Sequence, residues 1–324
     1  MATYKEINSA GVQNFSSDPS NLINGQVWYN TGSSVLKVAE ITTTGTWGTG
    51  GNMGTARYDM GSAGTQTASA VFGGGEPITA ATEEYNGSSW TAGGNMGTAR
   101  RELGGLGTQT AALAFGGRTP GFTNATEEYG GTSWTSGGNL STTRGFPGGA
   151  GIQTAGLAFG GNVPPTSNSA STNATEEYNG TAWTNGGNMN TARHSMAAGG
   201  TDSAAFGAGG RVGTGSAQVK TEEYNGSSWT TVNDMSNGRY NLGGCGTQTA
   251  GLAFGGRSPP EKNLTEQYDG TSWTNGGNLN TGRFGLSGAG TQAAGLAAGG
   301  GYPNSAATEE YTGPGTTITT VTTS

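Results

Sequence analysis

Apolar residues in this chain come in short bursts rather than in helical stripes. "QTAALAFGG" (109–117) sets small and apolar side chains in one run and stops at a glycine doublet. A run of that length bounded by turn residues reads as a buried strand. The preceding "RRELGGLGT" supplies a partner strand through a glycine turn. "TEEYNGSSW" (82–90) places Asn-Gly between two short strand-like runs, the signal of a hairpin with a type I′ turn. Gly130-Gly131, Asn179-Gly180, Asn225-Gly226, Asp269-Gly270 and Thr312-Gly313 stand at the equivalent places. No segment shows a 3.6-residue period. The pattern predicts all-β units, each a four-stranded antiparallel sheet of about forty-five residues.

The same landmarks return six times at a spacing of 43 to 49 residues, which marks a repeat architecture. Trp47, Trp90, Trp134, Trp183, Trp229 and Trp273 each precede an arginine by ten residues: Arg57, Arg100, Arg144, Arg193, Arg239 and Arg283. Sixteen residues after each arginine a glycine doublet begins. A T-E-[EQ]-Y strand comes next, whose first glutamates are Glu83, Glu127, Glu176, Glu222, Glu266 and Glu309. The second glutamate becomes Gln267 once.

Ordered as R…GG…EEY…W over residues 47 to 311, these units resemble kelch repeats. The resemblance implies an all-β, six-bladed kelch-like β-propeller. Tyr and Trp would then pack blade against blade, while Gly, Ala and Thr fit the crowded inner strands. A repeating Arg–Glu contact screened from water is the economical reading of the charged pair. A glutamate ring holding a metal would need those side chains turned into the channel, and no metal or cofactor is expected.

The first unit has Trp47 without a preceding T-E-E-Y, and the last has Tyr311 followed five residues on by Thr316 instead of Trp. These defects are complementary. The strand "ITTTGTW" (41–47) is expected to pair beside residues 308–311 and close the ring, which leaves no half-blade edge. The chain thus divides into an N-terminal hairpin segment (1–40), the propeller (41–313) and a Thr-rich tail (314–324).

Within the first segment, "NGQVWYNTGSSVLKV" has the pattern of a hairpin, with "QVWYN" and "VLKV" as strands around "TGSS". It resembles short N-terminal segments of tailed-phage virion proteins, particularly fibre and appendage components. That resemblance implies a non-enzymatic virion structural or adhesion protein on the particle surface. Residues 1–40 would bind other virion proteins, and the propeller would meet a host surface glycan or protein. Several copies per particle, or a homo-oligomer, fit that role. The rivals are a lectin-like glycan receptor module, outside the cell, and a cellular kelch-type interaction scaffold in the cytoplasm.

Composition changes the picture in one respect. Only 31% of the 324 residues are hydrophobic, 65 are glycine and 11% are charged, a profile that suits a low-complexity chain. Seven Trp, eleven Tyr and nine Phe at recurring places, with a net charge of −7, argue instead for order. The acidic balance and the absence of a Lys/Arg cluster exclude nucleic acid as the main partner. No apolar run reaches the ~18 residues of a membrane span, and the first fifteen residues lack the order of a secretory signal. Cys245 is the sole cysteine, so no internal disulfide forms, and with one histidine a structural zinc site is not expected.

Candidate chemistry is thin. His194, in "TARHSM", has no G-x-S-x-G nucleophile context. Paired glutamates suit glycoside hydrolysis, yet these recur in every unit, whereas an active site breaks symmetry. "GGLGTQT" lacks the lysine and helix of a phosphate loop. The Cys, Tyr and two-His set of the copper oxidases among kelch-like propellers is absent. No enzyme is expected.

Length variation falls only between the glycine doublet and T-E-E-Y, in loops of 7, 8, 13, 10, 8 and 7 residues. Such insertions collect on one, often binding, face. The longest, "NVPPTSNSASTNA" (162–174) and "RVGTGSAQVK" (211–220), sit in adjacent units. Asn162, Pro164, Pro165, Arg211 and Lys220 are therefore the candidate binding residues. Phe122 and Tyr302 are the loop aromatics a lectin would use.

Overall fold

The computed structural model of the protein describes residues 12–42, 44–164, 170–301 and 303–321. Every regular element among them is a strand. The strands fall into two compact units, residues 46–312 and residues 1–45 with 313–324.

The larger unit holds six four-stranded antiparallel sheets. Blade two shows the plan: Gly104–Thr108, Ala111–Phe115, Thr126–Tyr129 and Trp134–Ser136 lie side by side in chain order. Blades one, three, four and five repeat it over 61–92, 148–185, 197–232 and 243–275. Blade six joins Ser287–Gly290, Ala294–Ala298 and Thr308–Thr312 to Thr46–Thr49 from the beginning of the unit. Tyr311 there faces Trp47 in register, as Tyr85 faces Trp90 in blade one. The innermost strand Gly61–Gly64 neighbours both Gly104–Thr108 and Ser287–Gly290, so the ring of blades is closed. The fold is a six-bladed propeller.

The closing strand begins later than residues 41–47 would have it. Ile41 and Thr42 end the strand Val35–Thr42 of the smaller unit, where they pair with Thr316 and Gly315. Their backbone groups are committed to that ladder, and only Thr46–Thr49 remains for blade six. Thr43 lies outside the described residues.

Glycine is required on the inner strands by close approach. A β-carbon on Gly104 would come within 2.3 Å of the Phe115 ring, and one on Gly105 within 2.5 Å of the Ser62 backbone nitrogen in blade one. The repeats compensate for volume at the first of these places. Four blades pair Gly with Phe across the two inner strands, whereas the other two pair Ala197 with Ala208 and Ser287 with Ala298. Between blades, Phe115 packs against Trp183 at 5.2 Å between ring centroids. The Trp183 indole N–H donates to Thr126 Oγ1 of the preceding blade at 2.9 Å. Trp47, Trp90, Trp134, Trp229 and Trp273 make the same bond to Thr265, Thr308, Thr82, Thr175 and Thr221.

In the smaller unit, Gln13–Phe15 lies parallel to Val27–Asn30, which forms a hairpin with Val35–Thr42. The Thr-rich tail adds Gly315–Val321 along the far edge. Trp28 is fully buried. Asp18 accepts hydrogen bonds from Lys37, Asn30 and Trp28, and those donors, Lys37 foremost, hold its carboxyl below the usual range.

Candidate functional site

The repeated charged residues form the frame rather than the site. In every blade the arginine that enters it pairs with the first glutamate of T-E-[EQ]-Y. Arg239 is typical. Its Nη1 donates to the carbonyls of Gly255 and Leu264, both at 2.8 Å, and its Nη2 to Glu266 Oε1 at 2.9 Å. Glu266 Oε2 accepts the backbone N–H of Ser236 at 2.7 Å. One buried ion pair thus pins the entering connector to two strands.

The two residues after each arginine differ from blade to blade. The first of them bridges to the residue after the glycine doublet: Arg101 to Arg118, Gly145 to Asn162, His194 to Arg211, Tyr240 to Arg257. One residue later the chain turns into the inner strand through a left-handed conformation. Asp59, Glu102, Phe146, Ser195, Asn241 and Gly285 hold φ values of 54°, 60°, 51°, 58°, 50° and 63°. For residues other than glycine that region is costly, and a closed circuit holds them there. The N–H of Glu102 donates to the carbonyl of Asp59 (2.8 Å), Phe146 to Glu102 (2.6 Å), Ser195 to Phe146 (3.2 Å) and Asn241 to Ser195 (2.9 Å). Gly285 donates to Asn241 (2.8 Å) and Asp59 to Gly285 (2.7 Å), which completes the ring.

This girdle separates two spaces. On one side lies the axial channel, about 220 Å³, walled by the Gly- and Ala-rich inner strands together with Leu and Met side chains that precede them. On the other lies a hollow of about 190 Å³ edged by Tyr58, Arg101, His194, Arg211 and Tyr240. Asp59 and Glu102 line both spaces. Burial pushes the carboxyl of Asp59 well above its ordinary range, and the charge of Glu102 adds to the shift. Burial also raises that of Glu102, against the pull of Arg101 and Arg118.

His194 is 2% exposed and sits 2.8 Å from Ser195 Oγ through Nδ1 and 3.0 Å from the Gly213 carbonyl through Nε2. The pair resembles a nucleophile and its base. Three observations place it with the frame instead. Burial pulls the imidazole down to about 4, too weak a base for neutral pH. The left-handed backbone of Ser195 is shared by all six girdle positions and is not a special elbow. Its N–H is committed to the Phe146 carbonyl and is not free to serve an oxyanion. Cys245 is buried, and its thiol is pushed up to about 12, so it carries no thiolate chemistry at neutral pH. Among the described residues no group of three or more His, Cys, Asp or Glu is placed to hold a metal ion.

The two long loops begin on this face and touch each other, for the Gly213 N–H donates to Ser171 Oγ at 2.8 Å. Of the candidate residues, Arg211 edges the hollow, whereas Asn162 is wholly buried and exchanges backbone hydrogen bonds with Gly145. Pro164 is exposed. The Lys220 ammonium pairs with Asp234 at 3.0 Å on the surface, and both side chains stay exposed. Phe122 covers Gly145 under Arg118, whose guanidinium lies 5.7 Å from its ring centroid. Pro165 and Tyr302 lie outside the described residues.

Sequence reasoning missed the girdle. The signal was present, since the second residue after each repeated arginine is the place where six otherwise matching units carry six different side chains. No family model matches the chain, and no curated protein matches it either.

Proposed function

We propose that the protein is a non-enzymatic recognition module, a virion structural or adhesion component of a tailed phage. Its propeller would meet a host surface molecule or another virion protein through the face bearing the girdle and the long loops. Residues 1–40 would anchor it to the particle. The observation that carries the recognition reading is the contrast between frame and face. The Arg–Glu pairs and Trp–Thr bonds are the same in all blades, while the girdle carries six different residues and its rim varies around the ring. A binding surface needs that loss of symmetry, and loops carry function more often than scaffold residues do. The kelch-like reading is supported by the order R…GG…EEY…W, and the virion reading by the N-terminal hairpin sequence. A glycan-binding role is favoured as a second reading by the partly exposed aromatics Tyr58, Phe146 and Tyr240 beside Arg101 and Arg211.

Two measurements test this. Purified particles should contain the chain, and its absence from them would remove the virion assignment. Shortening both loops, 162–174 and 211–220, to seven residues should leave the melting temperature nearly unchanged, because loop length costs little, and abolish attachment to the host surface. Attachment that survives loop shortening but fails when residues 1–40 are removed would move recognition to the N-terminal segment.

A further inference from the structure

The hollow outside the girdle holds polar groups that the protein itself leaves without partners. Glu102 is 5% exposed, and its Oε2 has no hydrogen-bond partner among the described residues. A buried acceptor in that state is destabilising until a donor reaches it. Across the hollow, the Arg211 guanidinium lies 4.8 Å from the Tyr240 ring centroid, and its Nε donates to the Gly213 carbonyl at 3.0 Å. Its two terminal nitrogens make no hydrogen bond or ion pair among the described residues. A guanidinium fixed by stacking with its fork open is a ready partner for a carboxylate.

The lining carries no excess of negative charge: Glu102 faces Arg101 and Arg211, burial favours the neutral acid of Asp59, and His194 is neutral. Arg101 Nε at 3.4 Å and Arg118 Nη1 at 3.8 Å already stand beside Glu102 Oε1. A bare cation or an ammonium therefore meets repulsion next to the acceptor it would need. A hydroxyl does not, and it supplies the missing donor. Tyr58 and Phe146 offer apolar surface for ring C–H groups, while the Asn241 amide adds a donor and an acceptor. A space of about 190 Å³ holds one small ring rather than a chain.

We propose that this hollow binds the terminal residue of an acidic saccharide, with the sugar carboxylate on Arg211 and hydroxyls donating to Glu102 and Asp59. The inference rests on the reading of this face as a recognition surface and names its ligand class.

The test is calorimetric titration of the full-length protein with glucuronate, galacturonate and N-acetylneuraminate, with glucose and galactose as neutral controls. At least one acidic sugar should bind, and its neutral counterpart should bind about tenfold more weakly or worse, the loss of one charge-assisted pair. Arg211→Ala and Glu102→Gln should each weaken binding by about tenfold, and Arg211→Lys should not restore it. Should Glu102→Gln lower the melting temperature, Asn241→Gly, which the left-handed backbone accepts as it does at Gly285, reads the same site. The proposal is overturned if no acidic sugar binds up to roughly 10 mM, if neutral sugars bind equally, or if Arg211→Ala and Asn241→Gly leave binding intact. Loss of host attachment on loop shortening in a protein that binds no acidic sugar would leave the recognition role standing and remove this ligand.

Discussion

Tyr85 donates its phenolic hydrogen to Glu310 Oε1 at 2.6 Å and so ties the first blade to the last. The same link joins every neighbouring pair of blades. Tyr129 donates to Glu84, Tyr178 to Glu128, Tyr224 to Glu177 and Tyr268 to Glu223. Where Gln267 replaces the glutamate, its Nε2 donates to Tyr311 Oη at 2.7 Å. The second acidic residue of T-E-[EQ]-Y is therefore the blade-to-blade latch, and the first is the anchor of the entering arginine. One strand performs both tasks because alternate side chains leave it on opposite faces.

Alkaline pH should open these latches. Burial, reinforced by the hydrogen bond to a glutamate, pushes Tyr85, Tyr129, Tyr178 and Tyr224 from 10.0 up to about 12. A phenol raised in the folded state stabilises it fully below the unfolded value, and the contribution disappears as pH climbs through the folded one. The melting temperature should thus be insensitive to these groups below pH 10 and fall steeply between pH 10 and 12. Tyrosinate absorbance should rise together with unfolding. A chain that ionises most of its tyrosines near pH 10 while still folded would contradict the latch.

The anchors should be costly to break. Arg239 and Glu266 are both fully buried, and burial draws the arginine pKa down against the pull of the glutamate charge. Replacing Arg239 by Ala leaves a buried carboxylate without its counter-charge and takes a donor from two carbonyls, at a cost of ~3–5 kcal/mol. Arg144→Ala at the Glu176 pair should behave alike. Lysine at either place should rescue little, because one ammonium cannot bridge two carbonyls and a carboxylate as the guanidinium fork does. Urea denaturation reads each cost, and a loss below about 1 kcal/mol would show the pair to be dispensable.

The packing of Gly104 under Phe115 should appear as coupling. Alanine at 104 alone drives its β-carbon into the ring and should cost ~1–3 kcal/mol. Phe115→Ala alone should cost ~3–5 kcal/mol. Combined, the two imitate the Ala197 and Ala208 pair of blade four, so the double variant should be more stable than the sum of the singles by at least about 0.5 kcal/mol. Strict additivity in a double-mutant cycle would mean that the ring simply moves aside.

The repeat period, the four-stranded units and the ring order were all legible in the sequence, because each rests on residues that recur at fixed spacing. Trp47 without its tyrosine and Tyr311 without its tryptophan announced the closure. The start of the closing strand was not legible, since "ITTTGT" carries no apolar alternation to say which ladder claims Ile41 and Thr42. The partner of the second glutamate was also hidden. Tyr129 and Glu84 are forty-five residues apart, and only the curvature of the ring brings them together. The girdle escaped because its identity lies in backbone conformation, which Phe146 and Glu102 do not advertise as glycine would.

Blade four lacks one latch that the other five possess, and restoring it should stabilise the protein. Gln66, Gln109, Gln153, Gln248 and Gln292 each sit in the inner hairpin of a blade and donate through Nε2 to two backbone carbonyls of the preceding blade. The equivalent residue in blade four is Asp202, which has no N–H to give. Its hairpin keeps the same geometry, for Thr201 donates to the Ala204 carbonyl at 3.0 Å as Thr65 does to Ala68 at 2.9 Å. By the register of the third blade, the carbonyls waiting there are those of Gly156 and Tyr178. Asp202→Gln should therefore add two neutral hydrogen bonds and raise stability by ~0.5–1.5 kcal/mol for each bond formed. The gain should appear in both thermal and urea unfolding without a change in the urea m-value, because the surface exposed on unfolding stays the same. Gln153→Ala is the matched control, since it removes the link between blades two and three. If Asp202→Gln leaves stability unchanged while Gln153→Ala lowers it, blades three and four are set apart more widely than the other pairs.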